Sequence, residues 1–125
     1  MHESLPSDVA EFIREHITSL EQLEILLWLR RRATCGFTAA EVSRDLRTLE
    51  SSALKRLSAL VNRGLLERTG DSRTSTFRYQ TLAPELDATL GRVDEAYATR
   101  RYSVIDLLFS NPLDELMVFS RGTAR

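Results

Sequence analysis

The stretch that most limits what this chain can fold into runs from residue 38 to residue 79. Thr38-Ala-Ala-Glu41 places a Thr and a Glu three apart, the spacing at which each side chain satisfies a backbone N–H at a helix start. Leu46-Arg-Thr-Leu49 then spans a short turn. A second helix is predicted through Arg63, with Leu54, Leu57, Leu60 and Val61 on one face. The opposite face carries Ser51, Ser52, Lys55, Arg56, Ala59, Asn62 and Arg63. Gly64 supplies the left-handed residue that closes such a helix. Leu65-Leu-Glu-Arg68 and Thr76-Phe-Arg-Tyr79 read as two strands around the turn-forming Gly70-Asp-Ser-Arg-Thr-Ser75. Helix, turn, helix and hairpin in that order outline a winged helix-turn-helix, a fold that presents its second helix to the DNA major groove.

The flanks read as helices. Ser7 and Asp8 suit the start of an amphipathic segment with Val9, Phe12, Ile13 and Ile17 inward. Ser19 and Gln22 open a second helix, apolar nearly all round from Leu20 to Leu29, which suits the centre of a core. Arg30-Arg-Arg32 at its end suits the helix dipole. Phe37 can form a very short strand that pairs with the hairpin. Pro84 begins a long helix to Phe109. Along it Leu86, Leu90, Val93, Tyr97, Arg100, Val104 and Leu107 alternate at spacings of 4 and 3, a heptad seam expected to join two copies of the chain. A last short helix is expected from Pro112 to about Phe119. The expected class is mainly α with a small β-hairpin wing, a winged helix-turn-helix with a long C-terminal dimerisation helix.

At 125 residues the chain reads as one winged-helix domain, with a core over 7–82 and a helical dimerisation extension over 83–125. No run of about 18 apolar residues implies a membrane span. The N-terminus lacks the basic start and apolar core of a signal peptide. One cysteine, Cys35, excludes an internal disulfide, and a cytoplasmic protein fits best. Cys35 itself reads as a small buried residue. His2 and His16 offer no zinc spacing, no nucleophile–His–acid set is visible, and no Gly-rich phosphate loop occurs. No enzyme, cofactor or metal is therefore expected. Net charge is −1, but its distribution is uneven. Eight basic and four acidic residues fall between Arg44 and Arg78, a net +4 that leaves −5 for the remainder.

The element order, Thr38-Ala-Ala-Glu-Val42, the run from Ala53 to Glu67 and the long helix after the wing resemble bacterial winged-helix transcriptional regulators of the MarR or PadR kind. The resemblance covers roughly residues 19 to 109. It implies a homodimer that reads a two-fold operator on double-stranded DNA, a sequence-specific regulator and a repressor. In such a protein Ser51, Ser52, Lys55 and Arg56 would meet bases and phosphates, with Arg56 suited to guanine. Lys55 and Arg63 would hold phosphate, and Arg73 at the wing tip would meet the flanking backbone. A short wing and a slightly acidic chain keep an alternative open, in which the winged helix binds another protein rather than DNA.

Overall fold

The structure is a computed structural model and describes residues 5–72, 74–81 and 83–109. In order along the chain these form α1 (Ser7–His16), α2 (Leu20–Arg31), β1 (Phe37–Thr38), α3 (Ala39–Leu46), α4 (Glu50–Asn62), β2 (Leu66–Thr69), β3 (Thr76–Tyr79), α5 (Pro84–Thr99) and α6 (Arg101–Phe109). This is the mainly helical winged-helix architecture expected from the sequence. Arg73 and the short helix expected after Pro112 lie outside the described residues.

The residues group into two compact units, Glu21–Ala88 in one, and the N-terminal residues through Leu20 with those from Thr89 onward in the other. The division expected at residue 83 assigned α1 to the winged part, whereas the structure groups it with the C-terminal helices.

The Glu21–Ala88 unit is the winged helix-turn-helix. In α2, Leu23, Ile25, Leu26, Leu27 and Leu29 are buried on every side of the helix, as its all-round apolar composition requires. Thr38 caps α3 through the reciprocal pair foreseen in the sequence: Glu41 N donates to Thr38 Oγ1 at 3.1 Å and Thr38 N to Glu41 Oε1 at 2.9 Å. Gly64, at φ +79°, lets the chain leave α4, and Leu65 N closes onto the Leu60 carbonyl at 3.0 Å. The sheet has the order β1-β3-β2, antiparallel throughout, with Phe37 opposite Phe77 and Leu66 opposite Tyr79. Alternation along β3 buries Phe77 and Tyr79 and leaves Arg78 outside. Gly70, at φ +93°, allows the turn that leads into the wing loop.

In the other unit α1 packs on α6, and Val9, Phe12, Ile13 and Ile17 are buried. The helix begins at Ser7 itself, after Pro6, so Ser7 is not the cap residue; Asp8 instead accepts from Val9 N. Asp8 also pairs with Arg92 across this unit. The single helix expected from Pro84 to Phe109 is interrupted at Arg100, between α5 and α6. Arg100 N still reaches the Ala96 carbonyl and Val104 N the Arg100 carbonyl. The interruption falls at the one charged position of the heptad pattern, and Arg100 is exposed there rather than buried among apolar neighbours.

Candidate nucleic-acid interface

Helix α4 is the second helix of the helix-turn-helix, and its residues sort into three columns. Ala53, Leu57 and Leu60, all fully buried, form the inward column. Leu54, expected among them, is instead 38% exposed; at 3.6 residues per turn it lies a quarter turn or more away from that column. The outward column is Ser51, Lys55, Ser58 and Asn62, at spacings of 4, 3 and 4. Ser51, Lys55 and Asn62 are exposed and Ser58 is half-buried.

The third column is Ser52 and Arg56, continued four residues back by Thr48 in the turn before α4, and it is turned toward α2. There it meets Glu21, in the first turn of that helix. Ser52 Oγ donates to Glu21 Oε1 at 2.6 Å, Arg56 Nε donates to the same oxygen at 3.0 Å, and Thr48 Oγ1 donates to Oε2. The Arg56 and Glu21 side chains are 28% and 25% exposed, so the ion pair is largely shielded from water. Burial pushes the Glu21 carboxyl up, but the bonds from Ser52, Thr48 and Arg56 and the Arg56 charge outweigh it and hold the group below the ordinary carboxylate value. Ser52 and Arg56, both expected to meet DNA, are here bonded to Glu21. Both hydrophilic side chains serve the protein's own interior edge, because an anionic partner waits there.

Two basic residues of the Arg44–Arg78 segment that are not among the expected DNA contacts, Arg47 and Arg68, are exposed. Arg47 ends α3 in the left-handed conformation, φ 58° and ψ 48°, and its side chain is exposed beside the start of α4. There its N–H closes onto the Ser43 carbonyl, a left-handed helix end taken by a residue other than glycine. Arg68 on β2 is exposed with its guanidinium 5.5 Å from the centre of the Phe77 ring. Arg78 on β3 is committed to Glu67 across the strand pair and to Gln80 Oε1 at 3.1 Å. Arg63 is exposed at the end of α4.

Side-chain contacts also tie α2 to β1 and α3. Trp28 is buried edge-on against Phe37, 4.7 Å between ring centres, and its Nε1 donates to Asp45 of α3. The Arg32 guanidinium lies 4.0 Å from the Trp28 ring centre and Nη1 donates to the Trp28 carbonyl. Arg32 thus does the helix-capping work expected of the Arg30-Arg-Arg32 cluster. Arg30 does something further: its Nε reaches Asp87 Oδ1 at 3.3 Å, and Tyr79 at the end of the wing donates to the same oxygen. Burial, with Asp87 alongside, pushes the Tyr79 hydroxyl up to about 12, so it remains a donor at any physiological pH. The wing end, the end of α2 and the start of α5 therefore meet at one carboxylate.

Two other expectations change. Cys35 is exposed, not a small core residue. Of the seam proposed for dimer contact, Leu90, Val93, Tyr97, Val104 and Leu107 are already buried within the chain, Leu86 is half-buried and Arg100 is exposed. A heptad pattern serves packing inside a chain as well as between chains, and these five positions are covered by the chain itself. Tyr102 and Phe109 of α6, at 83% and 70% exposure, are the large apolar side chains left outside in this unit's described residues. Among the described residues no group of side chains could hold a metal ion, and no helix is long and apolar enough to cross a membrane.

The fold is a winged helix-turn-helix whose second helix, α4, exposes Ser51, Lys55 and Asn62. Solved structures share it. A mutant of Staphylococcus aureus MepR bound to an oligodeoxyribonucleotide matches 93% of this chain and 83% of its own, at 13% identity and a TM-score of 0.56. The apo form of MarR from Escherichia coli matches 94% and 83%, at 16% identity and 0.54. The transcriptional repressor CouR bound to a 23-mer DNA duplex matches 94% and 82%, at 26% identity and 0.53. No protein-family model matches the chain, and no curated protein is similar to it in sequence. The likeness is thus one of fold, to MarR-type winged helices.

Proposed function

We propose that this chain is a DNA-binding transcription regulator that acts as a homodimer and represses. The observation that supports this best is the outward column of α4, with exposed Ser51, Lys55 and Asn62 beside the exposed Arg47. A helix of this kind enters the major groove, which is about 12 Å wide, and reads base edges from its outward side. Asn62 suits the paired donor and acceptor of adenine, and Ser51 suits either base or phosphate. Lys55, Arg47, Arg63 and Arg68 supply cations for the backbone, and the sequence expectation for Arg73 adds one more. CouR and MepR, both solved on DNA, favour this reading over a winged helix that docks on another protein.

The second copy is proposed to meet the outer face of α6, where Tyr102, Ile105 and Phe109 follow at spacings of 3 and 4. Two reading helices held by such a pairing would address half-sites about 34–36 Å apart. The test is selection of bound duplexes from a random pool by the full chain, followed by titration of the selected duplex across salt. The expected outcome is an enriched inverted repeat whose affinity falls linearly with salt on logarithmic axes. A pool that returns unenriched would end the proposal.

A further inference from the structure

The Glu21 cluster does more than join two helices. One carboxylate oxygen accepts the Arg56 Nε–H and the Ser52 hydroxyl together, and the other accepts Thr48. A guanidinium and a hydroxyl converging on an anionic oxygen are the donors that a DNA phosphate draws from a protein. Glu21 therefore occupies, from inside the molecule, the chemical place of a phosphate. The column it engages lies on the flank of α4, next to the outward column of Ser51, Lys55 and Asn62. Arg56 lies on the helix edge between Glu21 and that outward column. An arginine has long reach and would find the backbone of any duplex, whatever its sequence. Its capture removes a source of indiscriminate affinity.

We propose that Glu21 is a specificity-determining positioning residue: it withholds Arg56 and Ser52 from the DNA backbone and leaves reading to the outward column of α4. This inference rests on the DNA-binding reading above. It predicts that neutralising Glu21 strengthens binding to arbitrary sequence, an effect opposite to the loss expected if the acid served stability alone.

The experiment compares the full chain, Glu21→Gln, and Glu21→Gln with Arg56→Gln on a random-sequence duplex of about 30 base pairs, by fluorescence anisotropy from about 50 to about 200 mM salt. Gln keeps one acceptor oxygen, enough for one of the two hydroxyls, and removes the charge that holds Arg56. One added phosphate contact steepens the logarithmic salt slope by about 0.9, so the fourfold rise in salt should cost Glu21→Gln roughly 3.5-fold more affinity than the parent. The double variant should return to the parent slope. An unchanged slope in Glu21→Gln, or a double variant as steep as the single one, overturns the proposal. If Glu21→Gln melts below the assay temperature, Arg56→Gln alone decides: the proposal requires the parent slope, and a slope shallower by about one refutes it. A parent chain that binds no duplex at about 50 mM salt would instead sink the DNA-binding reading, and this inference with it.

Discussion

Helices α4 and α6 break the same rule in opposite directions. On α4, hydrophilic Ser52 and Arg56 turn toward the protein. On α6, aromatic Tyr102 and Phe109 turn toward water. Polarity predicts direction only when nothing else supplies a partner. Glu21 gives the α4 donors a better acceptor than solvent, because a charged, shielded hydrogen bond is stronger than a neutral one. On α6, Val104, Leu107 and Leu108 already fill the side that the chain covers, and the remaining apolar residues have no inward position left. The first helix has thereby spent part of its surface, and the second has surface in reserve. Under the function proposed above, sparing contact with DNA and firm contact with a second copy would both draw on that distribution.

The largest expected effect tests the reserve on α6. Buried aromatic anchors at an interface each contribute about 2 kcal/mol or more. Changing Tyr102→Lys together with Phe109→Lys should therefore weaken self-association by roughly a thousandfold, since each 1.4 kcal/mol is about tenfold. Sedimentation equilibrium should then find monomer where the parent is dimer, with an unchanged circular dichroism spectrum. A parent that already sediments as monomer, or a variant that remains dimeric, would remove α6 from the comparison.

The next effect separates two neighbours on α4. Lys55→Ala should weaken binding to a selected duplex by about tenfold and reduce its salt slope by about one, the signature of a lost phosphate contact. Arg56→Ala should leave the slope of the parent in place, because Arg56 is held by Glu21. Reversed results would mean that the outward and flanking columns exchange roles on DNA. A smaller difference is expected between adjacent serines in the free protein. Ser52→Ala loses a bond to a charged acceptor and should lower stability by about 1.5 kcal/mol, or several degrees of melting temperature. Ser51→Ala, on the exposed column, should stay within about 0.5 kcal/mol of the parent.

Much of the fold is legible in the sequence because its determinants are local. The Thr38–Glu41 capping pair, Gly64 after α4 and the turn at Gly70 all rest on a few neighbouring residues. The candidate site is legible only in outline. Ser51, Lys55 and Asn62 stand outward as polarity predicts. Thr48, Ser52 and Arg56 are visible as a repeat of four, but their acceptor lies 27 to 35 residues upstream, on a helix whose first turn could hold an acid for the dipole alone. Nothing in the chain marks that acid as their partner. The heptad pattern of α5 and α6 is ambiguous for a related reason: burial by the chain's own helices and burial by a second copy demand the same spacing. The interruption at Arg100 has no Pro or Gly to announce it.

Acid titration reaches the Glu21 cluster from the side of stability. The carboxyl sits below its ordinary value of 4.5, because the donors Ser52, Thr48 and Arg56 outweigh the burial that pushes it up. A carboxyl whose folded value is depressed stabilises the folded chain above its unfolded value, and that contribution disappears as pH falls through the folded one. Glu21→Gln lacks the titrating group. The stability gap between parent and Glu21→Gln, measured by urea denaturation, should therefore be constant near neutrality and shrink as pH drops below 4.5. Loss of the gap near neutrality would mean that the carboxylate is not engaged by its three donors in solution. A gap that persists unchanged into acid would assign it to shape rather than charge, and Arg56 would then be free to reach DNA.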